Sequence, residues 1–130
     1  MKIISFAWTT PALLAGAKTV TRRDWNAAYA ARFAPGELVC AYDRNPRFKG
    51  KQVATIRIKS VVLGTAFKLP PEDWEAEGFA YLSKRGAKVD GLTPEELWSD
   101  WNQGGARHLW VVRFELVEVV REALISRGAA

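Results

Sequence analysis

The pattern of apolar and polar positions predicts a chain built mainly from β-strands, with helices inserted between them. In the run QVATIRIKSVVLG, Ala54, Ile56 and Ile58 alternate with polar residues, which is typical of a strand with one buried face. The run HLWVVRFELVEVV predicts a second long strand, or two strands joined by a bend. Shorter strands are predicted at KIISF, KTVTRRD and ELVCAYD.

Cap residues predict where the helices begin and end. In TTPALLAG, Thr10 suits the N-cap, Pro11 the first helical position and Gly16 the C-terminal stop. In TPEELWSDW, Thr93 and Glu96 have the spacing of a capping box. Further helices are predicted within WNAAYAARF and PPEDWEAEGFAYLSKRG.

No repeat, linker or low-complexity segment divides the 130 residues. Residues 1–130 are therefore predicted to form a single domain, with residues 119–130 as a short C-terminal extension. A β-rich core with helical insertions predicts the α+β class, as a small barrel.

The net charge of +5 is unevenly distributed. Residues 1–68 hold twelve Lys and Arg against three Asp and Glu, whereas residues 69–130 hold seven against eleven. A basic half suggests a basic face, and such a face attracts nucleic acid or another polyanion. The alternative is an ordinary solvated surface of mixed charge.

Several classes of protein and site are disfavoured by the sequence. No apolar run approaches the roughly 20 residues that span a bilayer, and the N-terminal apolar segment is too short for a secretory signal. We therefore expect no membrane association and a cytoplasmic location. The single cysteine excludes a disulfide framework, and His108 has no partner at ligand spacing, so we expect no metal site. No P-loop, GxGxxG or GxSxG motif is present, and no cofactor is expected.

The stretch GAKTVTRRDW concentrates cations and hydroxyls where a helix passes into a strand. Strand alternation predicts Thr19, Thr21 and Arg23 on one face and Arg22 on the other. Hydroxyls and a guanidinium on one face suit a phosphate or a polar base edge. The two arginines would also disfavour the charged form of Lys18, which is one way to make a lysine a base. The alternative is a surface ion-pair cluster.

The segment RNPRFKGK is a second basic element. Its aromatic residue, Phe48, is surrounded by four cations, Arg44, Arg47, Lys49 and Lys51. Cations interleaved with an aromatic ring suit a nucleic-acid strand, although an ordinary hairpin loop has the same composition. Trp8 and Trp25 flank the Lys18 region in sequence and are candidates for the walls of a base-sized pocket.

Glu77 is the candidate carboxylate. On a helix it lies three residues from Trp74 and four from Tyr81, at the edge of an aromatic face. A carboxylate beside aromatic rings is suited to acid–base chemistry, although more often it is a rim residue. The neighbouring acids, Asp73 among them, are expected to be solvated.

Four segments in this order, LLAGAKTVTRRDW, FAPGELVCAYD, EAEGF and LWVVRFELV, resemble the ASCH domain of the PUA-like superfamily. The resemblance covers roughly residues 2–118. It implies a small PUA-like β-barrel, with helices packed over one side and a cleft between barrel and helices. It also implies that the cleft binds RNA or a nucleotide or nucleoside ligand.

One bacterial branch of ASCH proteins is an amidohydrolase acting on N4-acetylcytidine, and the resemblance to it implies Lys18, Thr21 and Glu77 as catalytic residues. Lys18 would activate the Thr21 hydroxyl, the hydroxyl or a water would attack the amide carbonyl, and Glu77 would handle the proton of the leaving amine. The chain departs from that branch in its greater length, in the VDGLTPEELWSDW helix and in its arginine-rich loop.

Three functions follow as alternatives. The first is binding of RNA or a nucleotide-containing ligand around Lys18, Thr21 and Glu77, with deacylation of a modified nucleoside second and RNA cleavage third. The residues expected to contact such a ligand are Trp8, Thr19, Arg22, Arg23, Trp25, Arg44, Arg47 and Lys49. The sequence does not predict which ligand is bound, or the oligomeric state.

Overall fold

A computed structural model describes residues 1–65, 69–103 and 108–120, and shows one five-stranded mixed sheet with helices packed beside it. The strands are β1 (Ile3–Ser5), β2 (Val20–Arg23), β3 (Leu38–Tyr42), β4 (Gln52–Thr65) and β5 (His108–Val119). The helices are α1 (Thr10–Leu14), α2 (Ala27–Ala30), α3 (Asp73–Ala76), α4 (Phe79–Lys84) and α5 (Pro94–Gln103). Two short 3-10 turns cover Ala7–Thr9 and Pro46–Phe48.

The sheet is organised around the two long strands that the sequence predicts. Its order is β1-β3-β4-β5-β2, and only the β1–β3 pair is parallel. The β4–β5 register shifts between Thr55 and Ile56 and again between Ile58 and Ser60. Such irregularities increase the local twist of a sheet. The final run is a single strand, β5, and the predicted extension beyond it lies outside the described residues from 121 onward.

The α+β class is confirmed, but the predicted small β-barrel is not, because the sheet is not closed. β1 and β2 stand at opposite ends of the strand order and are not paired with each other. Closure requires hydrogen bonds between the two edge strands, which have only three and four residues here. A side chain spans part of the gap instead, because Arg23 Nη2 donates to the Ser5 carbonyl oxygen at 2.6 Å. We call this gap between β1 and the end of β2 the seam.

The main core lies on one face of the sheet. Ala54, Ile56 and Ile58 are at most 1% exposed, which confirms the predicted alternation in β4. Phe6 and Phe114 meet edge to face, with ring centroids 5.6 Å apart. The core is completed by Ile4, Leu13, Phe33, Val39, Ala41, Val53 and Val112.

The helices form a second apolar cluster around Phe79, which is fully buried. Its ring contacts those of Trp8, Trp74, Trp98 and Trp101. No helix among the described residues has the length and apolar character needed to cross a membrane.

The cap predictions hold at α5 and shift by one residue at α1. Thr93 Oγ1 accepts from the Glu96 amide at 3.2 Å, and Glu96 Oε1 accepts from the Thr93 amide at 3.1 Å, so the capping box is confirmed. At α1 the N-cap is Thr9, and Thr10 is the first helical residue. The predicted helix over PPEDWEAEGFAYLSKRG is two helices, because Gly78 adopts a left-handed conformation between α3 and α4.

Substitution of Gly78 tests this junction. Gly78 has a φ of 93°, and a Cβ there would lie 2.7 Å from Ala12 Cβ, so Gly78→Ala adds a steric clash to the backbone strain. Gly86 has a φ of 67° with nothing within 4 Å, so Gly86→Ala carries the strain alone, about 1–2 kcal/mol. We expect Gly78→Ala to lower the free energy of unfolding, measured in urea, by clearly more than Gly86→Ala. Equal losses would show that the contact with α1 is unimportant.

Candidate functional site

Four charged side chains meet in the interior between β2 and α3. We call Lys18, Arg22, Asp73 and Glu77 the buried charge cluster, since their side chains are only 1–3% exposed. Lys18 Nζ donates to Glu77 Oε1 at 2.8 Å and to the Glu77 carbonyl at 2.9 Å. Arg22 Nη1 donates to Glu77 Oε2 at 2.7 Å, and Arg22 Nη2 pairs with Asp73 Oδ2. Both carboxylate oxygens of Glu77 therefore carry a cationic partner.

The local sequence explains why these groups converge. Asp73 and Glu77 are four residues apart, so they lie on one face across the single turn of α3. Lys18 and Arg22 are also four apart, and the period of two along an extended chain sends both to one side. The backbone joins the same elements, because the Thr19 amide donates to the Ala76 carbonyl at 2.7 Å. Lys18 and Glu77 thus meet in the structure, but as a buried ion pair and not in an open cleft.

Burial and pairing act in opposite directions on the cluster. Desolvation lowers the pKa of Lys18 below its ordinary value; Glu77 acts to raise it, and the Arg23 and Arg22 charges add to the lowering. Burial acts to raise the pKa of Asp73, but hydrogen bonds from Arg22 and Arg113 outweigh it and hold that pKa below its ordinary value. Asp73 is thus fixed as a carboxylate between two guanidinium groups.

Arg23 points to the other side of β2. Its Nε donates to Thr21 Oγ1 at 3.1 Å, and its guanidinium lies over the Phe6 ring, 5.4 Å from the centroid. Burial lowers the pKa of Arg23 to about 10, against the opposing charge of Glu77, so the group stays cationic at neutral pH. Thr21 and Arg23 share a face of the strand, as predicted.

A cavity of about 330 Å³ opens at the seam. We call it the seam cavity; it is lined by Ile3, Ile4, Ser5, Arg23, Trp25, Tyr29, Asn45 and Pro46. Trp25 stacks on Phe33 with ring centroids 4.6 Å apart and planes within 11°, so its ring is held firmly. The cavity therefore combines a cation, two aromatic side chains and small polar groups.

The structure divides the predicted site residues among three places. Lys18, Arg22 and Glu77 belong to the buried charge cluster, whereas Arg23 and Trp25 line the seam cavity. The remaining predicted cations, Arg44, Arg47 and Lys49, are exposed on the β3–β4 loop, next to the lining residues Asn45 and Pro46.

The other predicted residues lie apart from the seam cavity. Thr19 is exposed ahead of β2, and Trp8 stacks on Phe79 in the helical cluster, 5.5 Å between centroids. Thr21 is buried, and among the residues that the structure describes no hydrogen bond joins it to Lys18. Arg22 is buried in ion pairs, so its guanidinium is turned away from the solvent in which a phosphate would approach.

Sequence reasoning missed several residues of the site. Asp73 was expected to be solvated, and this is wrong: it is 1% exposed and paired with Arg22 and Arg113. Its spacing of four from Glu77 is a signal that could have revealed it. Ser5, Tyr29 and Asn45 reach the seam cavity through tertiary folding, which no local pattern shows.

No group of three or more His, Cys, Asp or Glu side chains within residues 1–65, 69–103 and 108–120 is arranged to hold a metal ion.

The chain matches no family model, and no curated protein is significantly similar to it. The DUF984 protein EF3133 from Enterococcus faecalis V583 resembles it in structure, with a TM-score of 0.55 and 17% identity over 88% of this chain and 73% of that one. A mutant of the ASCH protein ZmASCH from Zymomonas mobilis has a TM-score of 0.50 and 16% identity, over 98% and 80% of the two chains. The predicted ASCH-like fold is thus confirmed, and at these identities the likeness concerns the fold alone.

The Asp73 pair makes stability depend on pH. Because its pKa is depressed in the folded protein, Asp73 stabilises the fold above its ordinary pKa of 3.8 and loses this effect as the pH falls through the lower folded value. We expect Asp73→Asn to cost about 3–5 kcal/mol at neutral pH, since it leaves Arg22 short of a partner. The free energy of unfolding is measured in urea. The difference in this free energy between Asp73→Asn and the wild type should become smaller in acid, because the wild-type Asp73 is then protonated too.

The matched control is the exposed pair of Arg57 with Glu115, whose side chains are 43% and 55% exposed. Glu115→Gln should cost less than about 1 kcal/mol. A cost of Asp73→Asn that is equally small, or that stays constant down to acid pH, would contradict the assigned pairing.

Proposed function

We propose that the chain binds a nucleotide-containing ligand, either a free nucleotide or a nucleotide of RNA, in the seam cavity. The observation that supports this most directly is the lining of the cavity, which combines Arg23 with the aromatic residues Trp25 and Tyr29. The volume of about 330 Å³ is at the lower end of that of ligand pockets, about 300–1,000 Å³. A nucleotide offers the complementary groups, an anion and a flat base.

Each lining group has a role in this proposal. Arg23 contacts the phosphate or the edge of the base, while its bonds to Ser5 and Thr21 hold the guanidinium in place. The Trp25 ring, supported by Phe33, stacks on the base. Asn45 and Ser5 supply hydrogen-bonding groups for the sugar or the base.

The buried charge cluster supports the seam cavity electrostatically and mechanically. With Arg23 included, three cations stand against the two carboxylates of Asp73 and Glu77, and Arg113 adds a further cation at the edge. The excess positive charge favours an anion beside Arg23. The ion pairs also fix β2 against α3, and so fix the direction in which Arg23 leaves the strand.

Arg23→Ala should weaken nucleotide binding by about 1.5–3 kcal/mol, because a charge-assisted hydrogen bond is lost. Trp25→Leu removes the stacking surface and should also weaken nucleotide binding. It is an independent test, because it leaves the hydrogen bonds of Arg23 to Ser5 and Thr21 in place. Isothermal titration with cytidine monophosphate measures both. Arg57→Ala, which changes an exposed arginine on β4, should leave the affinity unchanged.

Salt provides a second readout of the same proposal. For an RNA ligand, the logarithm of the binding constant should fall linearly with the logarithm of the salt concentration, because cation–phosphate contacts release counterions. Wild-type protein that binds neither the mononucleotide nor RNA at low salt would contradict the proposal, as would affinity that does not change with salt.

Deacylation of N4-acetylcytidine is the second candidate function. The observation in its favour is the Lys18–Glu77 hydrogen bond, in which a buried lysine with a lowered pKa meets the expected acid. It ranks second because both Glu77 oxygens are occupied by cations and the Thr21 hydroxyl is bonded to Arg23 instead of Lys18. A proton transfer from Thr21 to Lys18 would require these bonds to be rearranged.

Incubation with N4-acetylcytidine separates the two functions. Hydrolysis consumes one water and yields cytidine and acetate, both of which chromatography detects. We expect no release above that of a protein-free control. Release that disappears in Thr21→Val and in Lys18→Met, with both variants folded by circular dichroism, would establish the enzyme instead.

A further inference from the structure

The β3–β4 loop is a strongly basic surface that exposes an aromatic ring. Phe48 is 66% exposed, the most exposed large hydrophobic residue of the described chain after Met1. Residues 44–51 contain four cations and no acid: the cations are Arg44, Arg47, Lys49 and Lys51. A single exposed ring is common on protein surfaces, but a ring among four cations has the composition that suits a partner with a flat face and negative charge.

The loop holds Phe48 in a defined place. Asn45 Oδ1 accepts from the Arg47 amide at 2.8 Å, and the Asn45 carbonyl accepts from the amides of Phe48 at 2.9 Å and Gly50 at 3.2 Å. A Cβ on Gly50 would lie 1.8 Å from the Arg44 carbonyl oxygen, so the two ends of the loop pass in close contact. Because these hydrogen bonds already order the turn, the free energy of ligand binding does not include an entropic cost for ordering it.

The same loop forms one wall of the seam cavity. Asn45 and Pro46 line the cavity, and Phe48 follows two residues later. The basic segment with Phe48 is therefore continuous along the chain with the wall of the seam cavity.

We propose that Phe48, Arg47 and Lys49 form a second subsite, which stacks the base of the adjacent nucleotide and contacts its phosphate. The ligand is then a single-stranded nucleic acid rather than a free nucleotide. This inference rests on the proposed function of the seam cavity and extends it. Alternating cations and an aromatic ring suit such a strand, because cations follow the phosphates while rings stack on successive bases.

A length series of probes tests the subsite. Cytidine monophosphate, the dinucleotide and the hexanucleotide of cytidylate are titrated calorimetrically, the oligomers as both RNA and DNA. We expect tighter binding of the oligomers than of the mononucleotide. Phe48→Ala should weaken oligomer binding by roughly 5- to 150-fold, the value of one stacked base, and leave mononucleotide binding unchanged.

Three variants serve as controls. Phe48→Trp should retain oligomer affinity, since it keeps a stacking ring. Arg47→Ala should lower the salt slope by about one, as expected for one lost phosphate contact. Leu63→Ala, which changes an apolar residue that is 50% exposed on β4, should have no effect.

The outcomes separate this inference from the function on which it rests. Mononucleotide binding without tighter oligomer binding, or oligomer binding that Phe48→Ala leaves unchanged, overturns the second subsite and leaves the seam cavity intact. Failure of every probe overturns both. Polyglutamate binding as tight as that of the hexanucleotide would also overturn the subsite, because charge alone would then explain it. Comparison of the affinities for the RNA and DNA oligomers shows which of the two nucleic acids the subsite prefers.

Discussion

The ion pairs that join Lys18 and Arg22 to Asp73 and Glu77 are the contacts on which the site depends. Removing a charge from water costs several kcal/mol, so four buried charges are tolerated only because each has an opposite partner in good geometry. The pairs tie β2 to α3 and send Arg22 inward. Strand alternation then directs Arg23 to the opposite side, where it lines the seam cavity. A buried structural pairing thus orients the cation that lines the seam cavity.

The seam between β1 and β2 is open, and the Arg23 side chain lies there beside the seam cavity. A closed barrel would pair β1 with β2 and fill the gap between them with backbone hydrogen bonds. Here the edge strands are short, and the contact between Arg23 and the Ser5 carbonyl spans the gap while the aromatic side chain of Trp25 stands beside it. The β3–β4 loop adds residues 45 and 46 to the lining of the seam cavity. The candidate site therefore lies at the unclosed edge of the sheet.

The strands and one helix cap could be predicted from the sequence, because both depend on local periodicity and on short motifs. The alternation in β4 and the Thr93 capping box are of this kind, whereas the contact of Lys18 with Glu77, 59 residues apart, could not be read from the sequence. Barrel closure was not predictable, since it depends on whether two distant edges pair. The burial of Asp73 was missed for a related reason, because its partner, Arg22, lies 51 residues away in sequence. An acidic residue near the start of a helix is usually exposed to solvent, so its composition gave no sign of the ion pair.

The most direct test of the account is a nuclear magnetic resonance titration of the tryptophan indole N–H signals with cytidine monophosphate. Trp25 lines the seam cavity, whereas Trp98 and Trp101 contact Phe79 in the helical cluster and serve as internal references. The account predicts that the Trp25 signal shifts and saturates while those of Trp98 and Trp101 stay in place. A Trp25 signal that does not move at saturating nucleotide, or shifts confined to Trp98 and Trp101, would contradict it.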